Sequence, residues 1–301
     1  MEKTNYHKPV LLNEVLEYLD PKPNKIYLDV TFGGGGHTRA ILEKETKCKV
    51  IALDWDKNAI EKNGVELLEN FPDRLSLIWS NFSNILKILK KEKISGVDGI
   101  LADFGTSQFQ INESAGFSVY KDTLLDMRMS PSHQKITAAE IVNKATQKKL
   151  EEIFFEFGEE RFSRQIARSI VEARNKEKIK TTGQLAKIVK EAVGKNYSKI
   201  HPATRIFQAL RIYVNNELGN IHSFLSASLQ ALNPDGRLVC ISFHSLEDRL
   251  VKQFLKDHSC VDKKGFKILT QKVVTATPEE IKINPSSRSA KLRAGQLCFK
   301  E

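Results

Sequence analysis

The residues best suited to chemistry begin with a run of four glycines at positions 33–36, followed directly by His37. A short apolar stretch precedes the run and a helical pattern follows it. Such a turn lets a ligand approach bare backbone and the positive end of a helix. A flexible turn is the alternative. Because an acidic residue also follows the next apolar stretch, we favour binding of a nucleotide-type ligand.

Asp54 is that acidic residue, and it ends the second apolar stretch, about twenty residues beyond the glycines. A carboxylate there is placed to hold both hydroxyls of a ribose. Capping of the following helix is the alternative, but Asp56 is better placed for that. The third glycine of a G-x-G-x-x-G pattern is missing, since Thr38 stands there. This weakens a dinucleotide reading and favours S-adenosylmethionine, which has no pyrophosphate.

Two further segments place polar groups after apolar stretches. Asp103 is followed by Phe104 and Gly105, but the other protein-kinase motifs are missing, so we reject a kinase magnesium site. At the end of a strand, Asp103 borders the ligand crevice and is expected to bind the cofactor or a substrate amino group. A turn cap is the alternative. His244 likewise follows a strand, and its candidate catalytic role competes with a structural one.

These segments require a sheet to position them, and the apolar stretches predict one. Strands are expected at residues 26–30, 49–53, 75–79, 97–102 and 237–243, with two more at 266–273 and 292–299. Most alternate with helical patterns, which predicts an α/β fold with a doubly wound sheet. Residues 110–215 carry amphipathic helical patterns and no good strand candidate. We expect an inserted helical domain at 110–215 within a discontinuous core of residues 1–109 and 216–301.

The composition limits the kinds of binding partner and the cellular compartment that we expect. The net charge is +10, and residues 121–215 hold 19 basic and 11 acidic residues, a net charge of +8. A polyanionic partner and an ordinary solvated surface both explain this excess. The four cysteines are widely spaced, which predicts reduced thiols and no metal site. No apolar run is long enough to span a membrane, and we expect a cytoplasmic protein.

The chain contains the motifs TFGGGGHT, GFS, LDMRM, GEERF, HPATR-x-FQALRI-x-VN-x-EL and ISFHSLEDR. These motifs extend over nearly the whole chain. Through them the chain resembles the MraW/RsmH-type small-subunit ribosomal RNA methyltransferases. The resemblance implies a class I (Rossmann-like) methyltransferase fold with a helical insert. It also implies methyl transfer from S-adenosylmethionine to N4 of a decoding-region cytosine, position 1402 in customary numbering, of 16S rRNA.

The resemblance also implies which residues bind the cofactor. Carried over position by position, they are Gly35, Gly36, His37, Asp54, Phe82, Asp103 and Gln110. The loop from Asp103 to Gln110 departs from the family's usual D-L-G-V-S-S-P-Q pattern, since it lacks the proline.

Arg161, Arg164 and Arg168 are candidate RNA-binding residues, because their spacing predicts one helix face suited to phosphate contacts. An ion-paired face with nearby glutamates is the alternative. Two other functions stay open, a nicotinamide-dependent oxidoreductase and a non-catalytic RNA-binding ribosome assembly factor. Assembly as a homodimer is also left open.

Overall fold

The computed structural model describes residues 9–105, 115–194, 201–260 and 265–298, and the chain divides into two compact units. Unit 1 comprises Met1–Gly105 and Leu218–Glu301, and unit 2 comprises Thr106–Glu217. The expected boundaries at 109/110 and 215/216 lie within a few residues of these divisions. Gln110 lies outside the described residues.

Unit 1 is built on one eight-stranded sheet. Its strands are β1 (Ile26–Asp29), β2 (Lys49–Asp54), β3 (Leu75–Trp79), β4 (Val97–Asp103), β5 (Leu232–Ser242), β6 (Gly265–Ile268), β7 (Val274–Thr275) and β8 (Lys291–Cys298). Their order is β3-β2-β1-β4-β5-β8-β6, with β7 also paired to β8. The strands from β1 to β5 pair in parallel, whereas β8 is antiparallel to β5, β6 and β7.

The helices follow the expected alternation. They are α1 (Leu12–Leu19), α2 (Gly36–Lys44), α3 (Lys57–Asn70), α4 (Ile85–Lys91), α5 (Ala138–Lys144), α6 (Gln147–Gly158), α7 (Ser163–Lys176), α8 (Thr182–Val193), α9 (Thr204–Asn215), α10 (Glu217–Ala231), α11 (Ser245–Asp257) and α12 (Pro278–Ile283). Short 3-10 helices span Phe82–Asn84 and Pro285–Ser289.

Both faces of the sheet are buried, because successive side chains of each strand point to opposite sides. On β2, Ile51 and Leu53 join one core cluster with residues of α4, α10 and α11. Val50 and Ala52 join the other cluster, with residues of α1, α2 and α3. The doubly wound α/β sheet expected from the sequence is therefore confirmed.

Unit 2 has its own apolar core, formed by buried faces of α5 to α9. In the part of unit 2 that the structure describes there is no strand beyond an isolated bridge between Leu124 and Thr181. Residues 137–140 read T-A-A-E, a pattern that predicts a capping box. The structure confirms it: Thr137 Oγ1 accepts from the Glu140 N–H, and Glu140 accepts from the Thr137 N–H.

Two sequence predictions about element boundaries are wrong. The sequence pattern from His201 through Leu218 predicts a single helix, but α9 ends at Asn215, and Asn216, with a left-handed φ of 48°, separates it from α10. Asparagine tolerates this conformation better than most residues. A single strand was expected at 266–273, but β6 ends at Ile268 and β7 is a separate strand of two residues.

Candidate functional site

Three neighbouring parallel strands, β2, β1 and β4, each end in an aspartate at the same edge of the sheet. These residues are Asp54, Asp29 and Asp103. Ligands of doubly wound sheets bind outside the carboxyl ends of the strands, so this edge is the candidate site. The sequence separates Asp29 from Asp103 by more than seventy positions, and the sheet order brings their strands side by side.

The glycine loop connects β1 to α2 and uses its glycines in two different ways. Gly33 and Gly35 have left-handed φ values of 52° and 75°. A Cβ on Gly35 would lie 2.9 Å from the Phe32 ring, and one on Gly36 would lie 3.0 Å from Pro9. A Cβ on Gly34 would meet no atom within 4 Å. Thus Gly35 and Gly36 let the loop fold tightly on the protein, whereas open space lies beside Gly34.

Asp29 anchors this loop, and the sequence reasoning did not assign it a role. Its Oδ1 accepts from the Thr31 N–H (3.1 Å), and its Oδ2 accepts from the Thr38 hydroxyl (2.7 Å). Thr31 Oγ1 in turn accepts from the Asp103 N–H at 2.7 Å. Burial raises the pKa of Asp29, while hydrogen bonds from Thr38 and Thr31 and the charge of His37 oppose the rise. The signal available in the sequence was that Asp29 ends an apolar stretch and directly precedes Val30.

Asp54 closes the other side of the loop. Its Oδ2 accepts from the Gly33 N–H and its Oδ1 accepts from the Asp56 N–H, both at 2.7 Å. Burial raises the pKa of Asp54 to about 7, against the lowering effect of these two hydrogen bonds. Asp56 caps α3 by accepting from the Asn58 N–H, as expected from the sequence. Asp54 is thereby left for the loop and for any ligand beside it.

Asp103 and His37 meet at the centre of this edge. His37 lies in the first turn of α2 and is 7% exposed, and its Nδ1 is 3.8 Å from Asp103 Oδ2. Its Nε2 is 2.9 Å from the Val10 carbonyl oxygen. Asp103 Oδ1 is buried and has no hydrogen-bond partner among the described residues. Burial raises the pKa of Asp103 to about 6, while the charge of His37 lowers it. A buried carboxylate oxygen without a donor is suited to a donor supplied by a ligand.

His244 caps α11. Its Nδ1 accepts from the Glu247 N–H at 3.4 Å, and Glu247 Oε2 accepts from the N–H groups of Phe243 and His244. Nε2 lies 3.1 Å from Glu247 Oε1, but the two atoms are not aligned as a hydrogen bond. This geometry gives His244 a capping role, and its catalytic role stays a prediction.

Aromatic rings flank the same edge of unit 1. The half-buried Phe82 ring packs against Phe104 and Phe224, with centroids 5.9 and 5.7 Å away. The Phe243 ring lies against Gly105, where an added Cβ would come within 2.6 Å of Cε2. Phe82 therefore belongs to an apolar cluster beside Asp103's strand. Its contact with a cofactor stays a prediction.

The three candidate RNA-binding arginines of unit 2 are all exposed, but they do not share one helix. Because α7 begins at Ser163, only Arg164 and Arg168 are helical, and the single helix face expected for all three is wrong. Arg161 precedes the helix and its guanidinium lies 4.7 Å from the Phe162 ring centroid. Arg168 pairs at 3.7 Å with Glu172, a residue of its own helix.

The LDMRM motif forms a tightly held turn in unit 2. Asp126 binds Arg128 through two hydrogen bonds of 2.7 and 2.8 Å, and Met127 between them has a left-handed φ of 63°. The buried Asn215 side chain donates to the Met127 carbonyl and accepts from the Met129 N–H, both at 2.8 Å. The asparagine of the VN-x-EL motif thus holds the LDMRM turn.

The sheet order, the glycine loop after β1 and the aspartates that end β2 and β4 define a Rossmann-like methyltransferase. In the described residues, no helix is both long and apolar enough to cross a membrane.

The chain belongs to the MraW methylase family, whose sequence model matches residues 4–297. It is 47% identical over 291 residues to a ribosomal RNA small subunit methyltransferase H from Wolbachia sp. subsp. Drosophila simulans (strain wRi). It is 46% identical over 292 residues to the protein of the same name from Sulfurihydrogenibium sp. (strain YO3AOP1). Each alignment covers 96% of this chain and 98% of the relative.

Solved structures show weaker similarity. An rRNA methylase from Streptococcus thermophilus aligns with a TM-score of 0.44 and 10% identity, over 95% of this chain and 93% of that one. A precorrin-6y C5,15-methyltransferase from Geobacter metallireducens GS-15 aligns with a TM-score of 0.46 and 9% identity, over 99% and 96%.

Proposed function

We propose that this chain transfers a methyl group from S-adenosylmethionine to N4 of cytosine 1402 of 16S rRNA, within the small ribosomal subunit in the cytoplasm. Two observations support the proposal. Curated relatives at 46–47% identity carry the name ribosomal RNA small subunit methyltransferase H. At the strand edge of unit 1, the buried Asp103 Oδ1 has no donor among the described residues. The unpaired Asp103 Oδ1 is the observation that carries the proposal, because an amino group would supply the hydrogen-bond donor that this oxygen lacks.

The residues of the strand edge fit S-adenosylmethionine. Asp54 accepts two backbone N–H groups through different oxygens, and each carboxylate oxygen has a further lone pair for a ribose hydroxyl. The first amide groups of α2 have no partner within the helix, so they suit the cofactor's carboxylate. Gly35, Gly36 and His37 belong to this turn. Phe82 borders the site from the loop after β3, and Gln110 is proposed from its family position alone.

The cofactor supplies an electrophilic methyl group on a sulfonium, so the protein has to align the methyl carbon with the attacking nitrogen at about 3 Å. The cytosine N4 is a weak nucleophile because its lone pair is delocalised into the ring. Asp103 accepts an N4–H and so favours the positive charge that develops on nitrogen. The target base has to leave its stack to reach the strand edge. The Phe243 ring offers a surface on which it stacks.

Unit 2 is proposed to recognise the RNA. Residues 121–215 hold a net charge of +8, and Arg161, Arg164 and Arg168 are exposed. In the described residues Arg161 and Arg164 have no ion pair, whereas Arg168 has only the exposed contact with Glu172. Exposed pairs of this kind stabilise a helix little, so a phosphate can replace the glutamate at small cost.

The decisive experiment uses small ribosomal subunits that lack this methyl group. They are incubated with the protein and with S-adenosylmethionine carrying a labelled methyl group, and the RNA is then digested to nucleosides. We expect label in N4-methylcytidine from the decoding region, and none with the Asp103→Ala variant at saturating cofactor. Label in another nucleoside, or near-normal methylation by the variant, would contradict the proposal.

Two other functions are separated by direct measurements. A nicotinamide-dependent oxidoreductase would bind NAD in equilibrium dialysis, whereas we expect retention of S-adenosylmethionine only. A non-catalytic assembly factor would bind the small subunit and leave the label in solution. The oxidoreductase also gives no reason for the basic insert.

A further inference from the structure

Tyr120 in unit 2 is an aromatic residue that is left almost entirely in solvent. It is 83% exposed, the largest fraction among the large hydrophobic residues that the structure describes. Its ring meets the His201 ring at a centroid distance of 5.7 Å, with the ring planes at 74°. This edge-to-face contact covers little of the tyrosine ring, so a broad apolar surface faces water.

The backbone that presents Tyr120 is held against the start of α8. The Lys121 carbonyl accepts from the Thr182 hydroxyl at 2.8 Å, and Thr182 Oγ1 accepts from the Thr123 N–H at 2.9 Å. The Tyr120 N–H donates to Ser118 Oγ at 3.2 Å. A single exposed aromatic residue needs no explanation on most surfaces, but a ring on a fixed backbone loses little conformational entropy when a ligand covers it.

His201 is held in a similar way at the turn that leads into α9. Its Nδ1 accepts from the Ala203 N–H at 3.2 Å, and its carbonyl oxygen accepts from the Thr204 N–H at 3.0 Å. Two anchored rings from distant parts of the sequence thus meet beside an open aromatic face. Proteins that bind single-stranded RNA use such surfaces, because every base can stack on an aromatic ring.

Positive charges adjoin the two rings in the chain. Lys121 follows Tyr120 directly, and Arg205 stands four residues after His201, in the first turn of α9; both side chains are exposed. Arg205 donates to a backbone carbonyl, that of Glu159, at 3.2 Å. A stacked nucleotide carries phosphates on both sides of its base, and cations at these positions attract them.

Asp122 is the acidic residue nearest to Tyr120 in the sequence, but α8 offsets its charge. Its Oδ1 accepts from the Gly183 N–H at 2.8 Å. The carboxylate therefore lies at the first turn of α8, where the positive end of the helix dipole stabilises it. Asp122 opposes an RNA phosphate less than its sequence position suggests.

Phe155 provides a comparison within the same unit. It lies on α6 and is 65% exposed, but its surroundings are acidic, since residues 151–160 hold five glutamates and no lysine or arginine. Glu151 and Glu152 lie one helical turn before Phe155 and share its face of the helix. Phosphates are repelled there, so of these two exposed aromatic residues Tyr120 is the one suited to RNA.

We propose that Tyr120, with His201 packed against it, is a platform on which an unpaired base of the RNA substrate stacks. The inference rests on the proposed function. It adds to the charged surface of unit 2 a contact that requires single-stranded RNA, because the bases of a duplex are already stacked on one another.

The first test measures the binding of a fluorescein-labelled single-stranded RNA of about 12 nucleotides by fluorescence anisotropy. The wild type is compared with Tyr120→Ala, Tyr120→Phe and the matched control Phe155→Ala. Removing the Tyr120 ring should raise the dissociation constant about five- to a hundredfold, because the stacked base loses its partner. Tyr120→Phe keeps a ring, and Phe155→Ala removes one from acidic surroundings, so both should stay within about twofold of the wild type.

The outcomes separate stacking from other contacts. Equal affinity of Tyr120→Ala and wild type would overturn the proposal, and so would a loss of the same size in Tyr120→Phe or Phe155→Ala. Because Tyr120→Ala removes no cation, its slope of log affinity against log salt should equal that of the wild type. Weaker binding to whole small subunits without weaker binding to the RNA alone would assign Tyr120 to a protein contact, which also contradicts the platform. If the wild type neither binds nor methylates RNA, the proposed function itself fails, and the two failures are thus distinct.

The second test observes the ring directly in the otherwise unchanged protein. With 3-fluorotyrosine in place of tyrosine, the ¹⁹F signal of Tyr120 is assigned by its loss in Tyr120→Phe. This signal should shift when the single-stranded RNA is added, because the ring current of a stacked base acts on it. Heparin, a polyanion without bases, should compete for the cations and leave the signal in place. No shift with RNA, or an equal shift with heparin, would refute stacking on Tyr120.

Discussion

Replacing Asp103 by asparagine should make the protein more stable at pH 8 while it abolishes methylation. The buried carboxyl has a pKa of about 6 in the folded protein, against an ordinary value of 3.8. Folding therefore favours the protonated form, and keeping the group ionised costs stability above that pKa. A difference of about 2 pKa units corresponds to about 3 kcal/mol. Asparagine has nearly the same shape and no charge, so this cost disappears.

The sign of the effect depends on pH. The stability associated with the protonated carboxyl is fully present below about pH 4 and is lost as pH rises through about 6. The gain of Asp103→Asn over wild type should therefore be largest at pH 7–8, shrink below pH 6 and vanish near pH 4. Urea unfolding curves of wild type and variant, recorded at several pH values, measure this difference in the free energy of unfolding directly when the two proteins have the same m-value.

Asp98, at the other end of β4, provides a matched control of opposite sign. Partial burial raises its pKa, but hydrogen bonds from the Ile26 N–H, Lys25 and Asn233 outweigh this and lower it. Its ionised form therefore stabilises the fold, and Asp98→Asn should lose stability at pH 8. If Asp103→Asn is no more stable than wild type at pH 8, or if its gain does not change with pH, the carboxylate is not held ionised in a buried site.

Two other variants test the cofactor site and the RNA surface. Asp54→Asn should weaken S-adenosylmethionine binding in equilibrium dialysis by about tenfold or more, since a hydrogen bond to a charged group contributes about 1.5–3 kcal/mol. Because the pKa of Asp54 is about 7, wild-type affinity should fall as pH drops below that value, whereas the variant's affinity should not. Neutralising Arg164 and Arg168 to glutamine should reduce the slope of log affinity for small subunits against log salt by about 1.5. The same change at Lys87 and Lys90, exposed on α4 of unit 1, serves as control, and an equal effect there would refute a specific role for the arginines.

The sequence was sufficient for the sheet because burial on both faces leaves a strong local pattern. The four central residues of β2, from Val50 to Leu53, are all apolar and buried, which those of a strand with one solvent face would not be. Helix breaks that depend on the backbone conformation of one residue were harder to predict. The break at Asn216 rests on a single residue with φ of 48°, and the apolar pattern continues across it. The start of α7 at Ser163 similarly removed Arg161 from the predicted helix face.

Contacts within the candidate site could not be predicted from the sequence for a different reason. The approach of His37 to Asp103 joins positions 66 residues apart in the sequence. The same histidine ring also contacts the Val10 carbonyl oxygen, from a third part of the chain. The capping role of His244 was equally hidden, because histidine is not a common cap and the signal lay in Glu247, three residues later. Asp29 was visible in the sequence, but only its contacts with two threonines show that it holds the loop.

Two hydrogen bonds within unit 1 hold the backbone at Asp103. Its N–H donates to Thr31 Oγ1, and the next N–H, that of Phe104, donates to the Ile241 carbonyl of β5. Unit 2 begins only at Thr106, so the chain enters the insert directly after these anchors. Among the described residues, the backbone of the carboxylate that is proposed to act on the substrate is thus held by the loop after β1 and by β5. Substitutions on the exposed face of α7 should therefore change RNA affinity and leave the pH dependence of the methylation step unchanged, because we expect that dependence to follow the pKa of Asp103, which burial raises.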